Sequence, residues 1–145
     1  MFVQKATLNE LHSLSELFDL YRVFYEQPSN LEGANEFLRE RLRNEESVVF
    51  IALDEENSLG FVQLYPSFSS IGMQRTWILN DLFVKESARK KGLGEKLLQA
   101  AITFAEETGA KGVSLETGKE NAKAQRLYER FGFVKESNYF YHYSI

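Results

Sequence analysis

The spacing of apolar and polar positions changes along the chain, and each change marks an element. Phe2 to Ala6 alternates weakly and predicts a first strand, after which Thr7-Leu8-Asn9-Glu10 has the spacing of a capping box. Leu11, Leu14, Phe18, Tyr21 and Phe24 or Tyr25 then recur at helical spacing. Pro28-Ser29-Asn30 stops that helix, and Ser29 with Glu32 repeats the capping-box spacing ahead of Ala34, Phe37, Leu38 and Leu42. A second helix ending near Asn44 follows. Val48 to Leu53 is a continuous apolar run, Asp54 to Ser58 is turn-rich, and Leu59 to Ser67 is apolar again, which predicts a hairpin. Pro66 is expected where its second strand frays or bends.

Thr76 to Val84 is the longest strand candidate. From Leu93, the positions Leu97, Leu98, Ala101, Ile102, Phe104 and Ala105 mark a long amphipathic helix closed by Thr108-Gly109. Val113, Leu115 and Thr117 alternate as a strand, and Ala124, Leu127, Tyr128 and Phe131 form one helical stripe closed by Gly132. Phe133-Val134 and the terminal YFYHYSI are predicted as two last strands, since aromatic residues fit a pleated surface. This order describes a mixed α/β (α+β) domain whose parallel element runs from Thr76 through the helix to Thr117.

Composition narrows the classes open to such a domain. At 145 residues, 43% hydrophobic and 26% charged, the chain is read as one globular domain spanning residues 1–145. Lys and Arg number 17 against 21 Asp and Glu, for a net charge of -4, so a surface-wide polyanion partner is not expected and any phosphate must be held locally. The absence of cysteine excludes disulfides, thiolate metal sites and a Cys nucleophile. No basic region precedes an apolar stretch at the start, and no run reaches the length of a membrane span. The expectation is a cytoplasmic protein with neither a nucleic-acid nor a membrane partner. His12 and His142 lack spaced partners, and no metal is expected.

The local phosphate site is suggested by Arg89-Lys90-Lys91-Gly92-Leu93-Gly94, which lies where a strand hands over to a helix. N–H groups at a helix start have no intrahelical partner, and the helix dipole adds positive potential there. Glycines let a ligand approach those groups, and three cations add charge. A dinucleotide fingerprint fails because Leu97 stands where its third glycine would be, and the phosphate-loop pattern of NTPases is absent.

A strand ending LNDLFV, then R-x-x-G-x-G opening a helix, then NAKAQRLYERFGF after the next strand resembles the GNAT superfamily of N-acetyltransferases. The resemblance covers the whole element order, with its specific motifs between Asn80 and Phe133. It implies a central mixed, mostly antiparallel sheet of roughly six or seven strands flanked by about four helices. It also implies acetyl-CoA as cosubstrate, its diphosphate wrapped by Arg89, Lys90, Lys91, Gly92, Leu93 and Gly94, chiefly through backbone amides. Leu82, Phe83 and Val84 would pair through their backbone with the pantetheine arm. By position, Asn121 would lie near that arm, Ala124 would let the cofactor approach its helix, and Tyr128 would point at the sulfur.

Acyl transfer to an amine needs the amine neutral, and an amine of pKa about 10.4 is neutral in only about one part in 10³ to 10⁴ at pH 7. Two carboxylates compete to accept its proton, Glu116, preferred as base, and Asp81, preferred as amine binder, and the resemblance leaves a water chain as the third route. On periodicity alone Tyr128 is a core aromatic, and the resemblance is what turns it toward the chemistry, as a hydrogen-bond donor to the departing thiolate. The acceptor, a small amine or a protein amine, is expected beside the first two helices, where Tyr21, Phe24, Tyr25 and Glu26 could line a pocket. The terminal strands offer edges on which two copies could pair as a homodimer. A CoA-binding sensor or scaffold without turnover is the alternative, since it needs RKKGLG but neither Tyr128 nor a base.

Overall fold

Five strands lie in the order β1-β2-β3-β4-β5: β1 (Phe2–Lys5), β2 (Val48–Leu53), β3 (Ser58–Ser69), β4 (Gln74–Val84) and β5 (Val113–Ser114). The first four are antiparallel, and β5 joins β4 in parallel, through Trp77↔Val113 and Ile78↔Ser114. Four helices accompany them: α1 (Leu11–Phe24), α2 (Leu31–Arg43), α3 (Leu93–Glu107) and α4 (Ala122–Arg130). The computed structural model describes residues 1–145, which form two compact units, Met1–Leu115 and Glu116–Ile145.

In the first unit, helices cover both faces of the sheet. Leu14, Leu17 and Phe18 of α1 and Ala34 and Leu38 of α2 pack with Val49, Ile51, Phe61 and Phe83. Successive strand residues face opposite ways, so Phe50 lies on the other face, where Phe104 of α3 meets it at 5.7 Å and Trp77 at 5.2 Å between ring centroids. Thr108 ends α3 and ties it to the sheet, its hydroxyl accepting from Trp77 Nε1 at 3.0 Å.

The Thr7–Glu10 capping box forms as predicted, at the head of a short 3-10 turn leading into α1. The second box does not. Asn30 caps α2, accepting from Gly33 N at 2.9 Å, while Ser29 donates its hydroxyl to Asp19 Oδ2 at 2.6 Å. An amide one residue later reaches the helix start, and Asp19 claims the serine.

Pro66 lies inside β3, opposite Trp77, and not at a frayed end. Trp77 N donates to Gly112 O, so its backbone turns toward β5 and away from β3. Pro66 is therefore in a non-hydrogen-bonded pair, and β2 has already ended at Val48↔Leu64. The missing N–H of the proline costs no ladder bond.

The sheet has five strands where six or seven were expected. The strand from Val113 stops at Ser114 and does not reach Thr117, and no strand follows α4, so Phe133-Val134 and YFYHYSI are not strands. Alternation and aromatic content express fit to a pleated surface, whereas a strand also needs a paired neighbour. The second unit is α4 with its flanking segments, Gly132 closing the helix at φ 101°.

Candidate active site

Strand β4 carries the first part of the site through a break in its own register. Its pairing with β3 steps from Gln63↔Asp81 to Leu64↔Leu79, leaving Asn80 as an extra residue. Before this bulge the backbone of Trp77 faces β5. After it, Lys85 N donates to Leu59 O on the β3 side at 2.8 Å. By alternation, the N–H and C=O groups of Leu82 and Val84 turn away from β3, while those of Phe83 turn toward it. Since β5 covers only Trp77 and Ile78, no strand pairs with that edge from Leu79 to Val84. The bulge thus presents an amide edge suited to an extended, amide-containing chain.

The edge runs directly into the glycine segment. Gly92 is the N-cap of α3, at φ 76° and ψ 13°, with no side-chain cap. That left-handed conformation is one that glycine adopts without strain, and a Cβ built there meets nothing within 4 Å. Leu93 is buried and pins the first turn to the core. Lys90 also has a positive φ, 66°, and both Lys90 and Lys91 are exposed. The uncapped helix start supplies backbone donors and dipole to an anion.

Arg89 is turned to a different task. Its Nε donates to Val84 O at 2.9 Å, and its guanidinium lies 5.5 Å from the Phe24 ring and 5.8 Å from the Phe83 ring. The side chain thereby bridges the end of β4 and the end of α1, beside a cleft of about 620 Å³ lined by Leu20, Val23, Phe24, Phe83 and Arg89 among others. It also occupies the Val84 carbonyl, leaving Leu82 N–H, Leu82 C=O and Val84 N–H as the outward groups of the edge. Tyr25 is exposed next to the cleft, its ring against Phe24 and Tyr21.

Asp81 is 4% exposed. Its carboxyl accepts from Gln63 Nε2 at 2.7 Å and from Asn80 Nδ2 at 3.1 Å, and it acts on the nearby Tyr21 phenol. Burial first, and then the Asp81 carboxyl, push the Tyr21 phenol far above its ordinary pKa. Burial and the same carboxyl raise Tyr65 to about 12. Gln63 and Tyr65 were not anticipated as site residues. The available signal was Gln63 itself, an amide in the otherwise apolar run LGFVQLY.

The second unit holds the remaining candidates. Asn121 is the N-cap of α4, accepting from Ala124 N at 3.2 Å, which accounts for an asparagine at that position. Ala124 and Tyr128 are half-buried, and the Tyr128 ring meets Phe133 edge-on at 5.8 Å between centroids. Glu116 is exposed. In the whole chain no three His, Cys, Asp or Glu side chains are grouped to hold a metal ion, and no helix is long and apolar enough to cross a membrane.

An unpaired strand edge thus runs into a glycine-opened helix start within a strand–helix–parallel strand unit of an α/β fold. The profile of the acetyltransferase (GNAT) family matches residues 14–133, and the chain belongs to that family. Along its full length it is 46% identical to an uncharacterised N-acetyltransferase of Bacillus subtilis (strain 168), YhfO, of which it covers 97%. It is 42% identical over 101 residues to a probable acetyltransferase of Haemophilus influenzae, covering 69% of each chain. A crystal structure of a probable acetyltransferase matches with a TM-score of 0.93 at 43% identity, over 100% of this chain and 99% of that one. The protein is accordingly an acyltransferase of the N-acetyltransferase kind, in a family whose members use acetyl-CoA and act on amine acceptors.

Proposed function

We propose that the chain acts as a single acetyltransferase domain, residues 1–145, moving an acetyl group from acetyl-CoA to a primary amine of a small molecule or a protein by direct attack in a ternary complex. The observation that carries this reading is the continuous run from the unpaired β4 edge into the uncapped start of α3. An extended amide arm ending in a diphosphate matches both halves of that surface in order. In this reading Leu82 and Val84 pair with the arm while Phe83 anchors the strand beneath it. The amides from Lys90 to Gly94 hold the diphosphate, with Lys90 and Lys91 adding charge and Arg89 bracing the loop.

Acetyl-CoA supplies the activated thioester, and the residues of the chain supply binding and proton management. Asp81 binds the acceptor amine, Glu116 accepts its proton, and Tyr128 donates a hydrogen bond to the departing sulfur. Full proton transfer from Tyr128 would be uphill by about 2 kcal/mol, taking pKa about 10 for a phenol and about 8.5 for a thiol. Hydrogen bonding suffices for the role. Tyr25 lines the acceptor side, Asn121 and Ala124 shape the cofactor-facing start of α4, and two copies pair as a homodimer without adding to this chemistry.

Release of free thiol from acetyl-CoA, measured over polyamines, amino acids, aminoglycosides and peptide N-termini, tests the reading. Turnover with at least one amine supports it. Tight CoA binding with no transfer to any acceptor would replace it with a CoA-binding module.

A further inference from the structure

The glycine loop is held at its two ends and by one side chain between them. Ala88 and Leu93 are buried, whereas Lys90, Lys91 and Gly92 are exposed. Lys90 stands at φ 66° and Gly92 at φ 76°, and a left-handed lysine is a strained conformation that its surroundings must hold. From Arg89 to Gly92, only Arg89 has a side-chain hydrogen bond or ring contact, and none of the ion pairs in the protein involves it. Its contacts with Val84 O and the Phe83 ring go back to the strand from which the loop departs. The ring of Phe24, 5.5 Å from the guanidinium, is the one partner from another layer of the fold. Phe24 stands on a firm base, since Leu14, Leu17 and Phe18 seat α1 in the core. Beyond its last turn the chain is tied back, Gln27 N donating to Arg22 O at 2.9 Å and Arg22 Nη1 to Pro28 O at 3.2 Å. The Phe24 ring is itself 59% exposed, so it adds little to that core. What it adds is a π face within reach of the cation that carries the loop.

Resting on the reading of this loop as the diphosphate site of CoA, we propose that Phe24 is a positioning residue for cofactor binding. Through Arg89 it steadies the left-handed turn from Lys90 to Gly92, and so the direction of the backbone amides, without touching the cofactor itself. A guanidinium beside an aromatic ring is attracted by the quadrupole of the ring, which an aliphatic side chain of similar volume lacks. Phe24 was expected to line the acceptor pocket. In this account it serves the other substrate, and α1 reaches the cofactor loop through a single cation.

The test is calorimetric titration of CoA into wild type, Phe24→Leu, Phe24→Tyr, Arg89→Met and the double variant Phe24→Leu with Arg89→Met. Phe24→Leu is expected to weaken CoA binding about fivefold or more. The KM for acetyl-CoA should rise in step while kcat stays within about threefold. Phe24→Tyr keeps the ring and should remain within about twofold of wild type. Once Arg89→Met has removed the cation, Phe24→Leu should weaken binding by less than about twofold more. Unchanged CoA affinity in Phe24→Leu, an equal loss in Phe24→Tyr, or losses that multiply in the double variant would each overturn the assignment. If Arg89→Met binds too weakly to titrate, the contrast between leucine and tyrosine at position 24 decides. Failure of the wild type to bind CoA would instead remove the cofactor reading on which the proposal rests.

Discussion

Asp81 and the Arg89–Gly94 loop lie on one short stretch of chain, and the proposed function gives them opposite means of binding. Around Asp81 the work is done by buried side chains drawn from three elements: Tyr21 from α1, Gln63 from β3 and Asn80 from the bulge in β4. At the loop it is done by backbone, with Gly92 leaving the helix start uncapped and one of its cations, Arg89, occupied by Val84 O and two aromatic rings. A site that must hold an invariant diphosphate can use backbone amides, whose positions do not depend on a rotamer. A site that must select one acceptor needs side chains, since only they differ in charge and reach. The starts of α3 and α4 show the same division, for Asn121 closes α4 with its own side chain whereas Gly92 leaves α3 open.

If side chains carry the selective and chemical half, one atom should suffice to damage it. Tyr128→Phe is expected to lower kcat by about tenfold or more with little change in either KM, as read from initial rates with a good amine. An unchanged kcat would take Tyr128 out of the chemistry. If backbone conformation carries the other half, Gly92→Ala should destabilise the protein by about 1 kcal/mol in urea unfolding, because an L-residue is strained at φ 76°. A Cβ there meets open space, so no clash contributes. A stability equal to wild type would mean that the loop relaxes out of the left-handed conformation.

The smallest effect is one of pH. Tyr65 has its pKa raised to about 12, above the unfolded value near 10. The unfolded chain therefore loses this proton first, and the contribution of Tyr65 is complete below pH 10 and declines as pH rises through 12. Thermal melting between pH 9 and 12 should fall less steeply in Tyr65→Phe than in wild type, and identical slopes would place the phenol in water.

The two regions also differed in how far the sequence disclosed them. Gly92 and Gly94 could be read directly, because a glycine pair at a strand-to-helix junction has few uses and its neighbours in the chain are its neighbours in space. The enclosure of Asp81 could not, because Gln63 is 18 residues away and Tyr21 lies on another element, and only the strand register unites them. Most helices and strands were legible from periodicity and caps, including the Thr7–Glu10 box and the Gly109 and Gly132 ends. The cap of α2 was misread by one residue because Asp19 drew Ser29 away. The last two strands were inferred from aromatic alternation, which says nothing about a partner.

The central claim is that acetyl-CoA is held by the backbone of the uncapped α3 start and that the loop cations are secondary. Calorimetric titration of CoA into Gly92→Val and Lys90→Ala tests it most directly. The account predicts at least about a hundredfold loss of affinity for Gly92→Val, near 2.7 kcal/mol, and less than about fivefold for Lys90→Ala. A greater loss for Lys90→Ala than for Gly92→Val would contradict it.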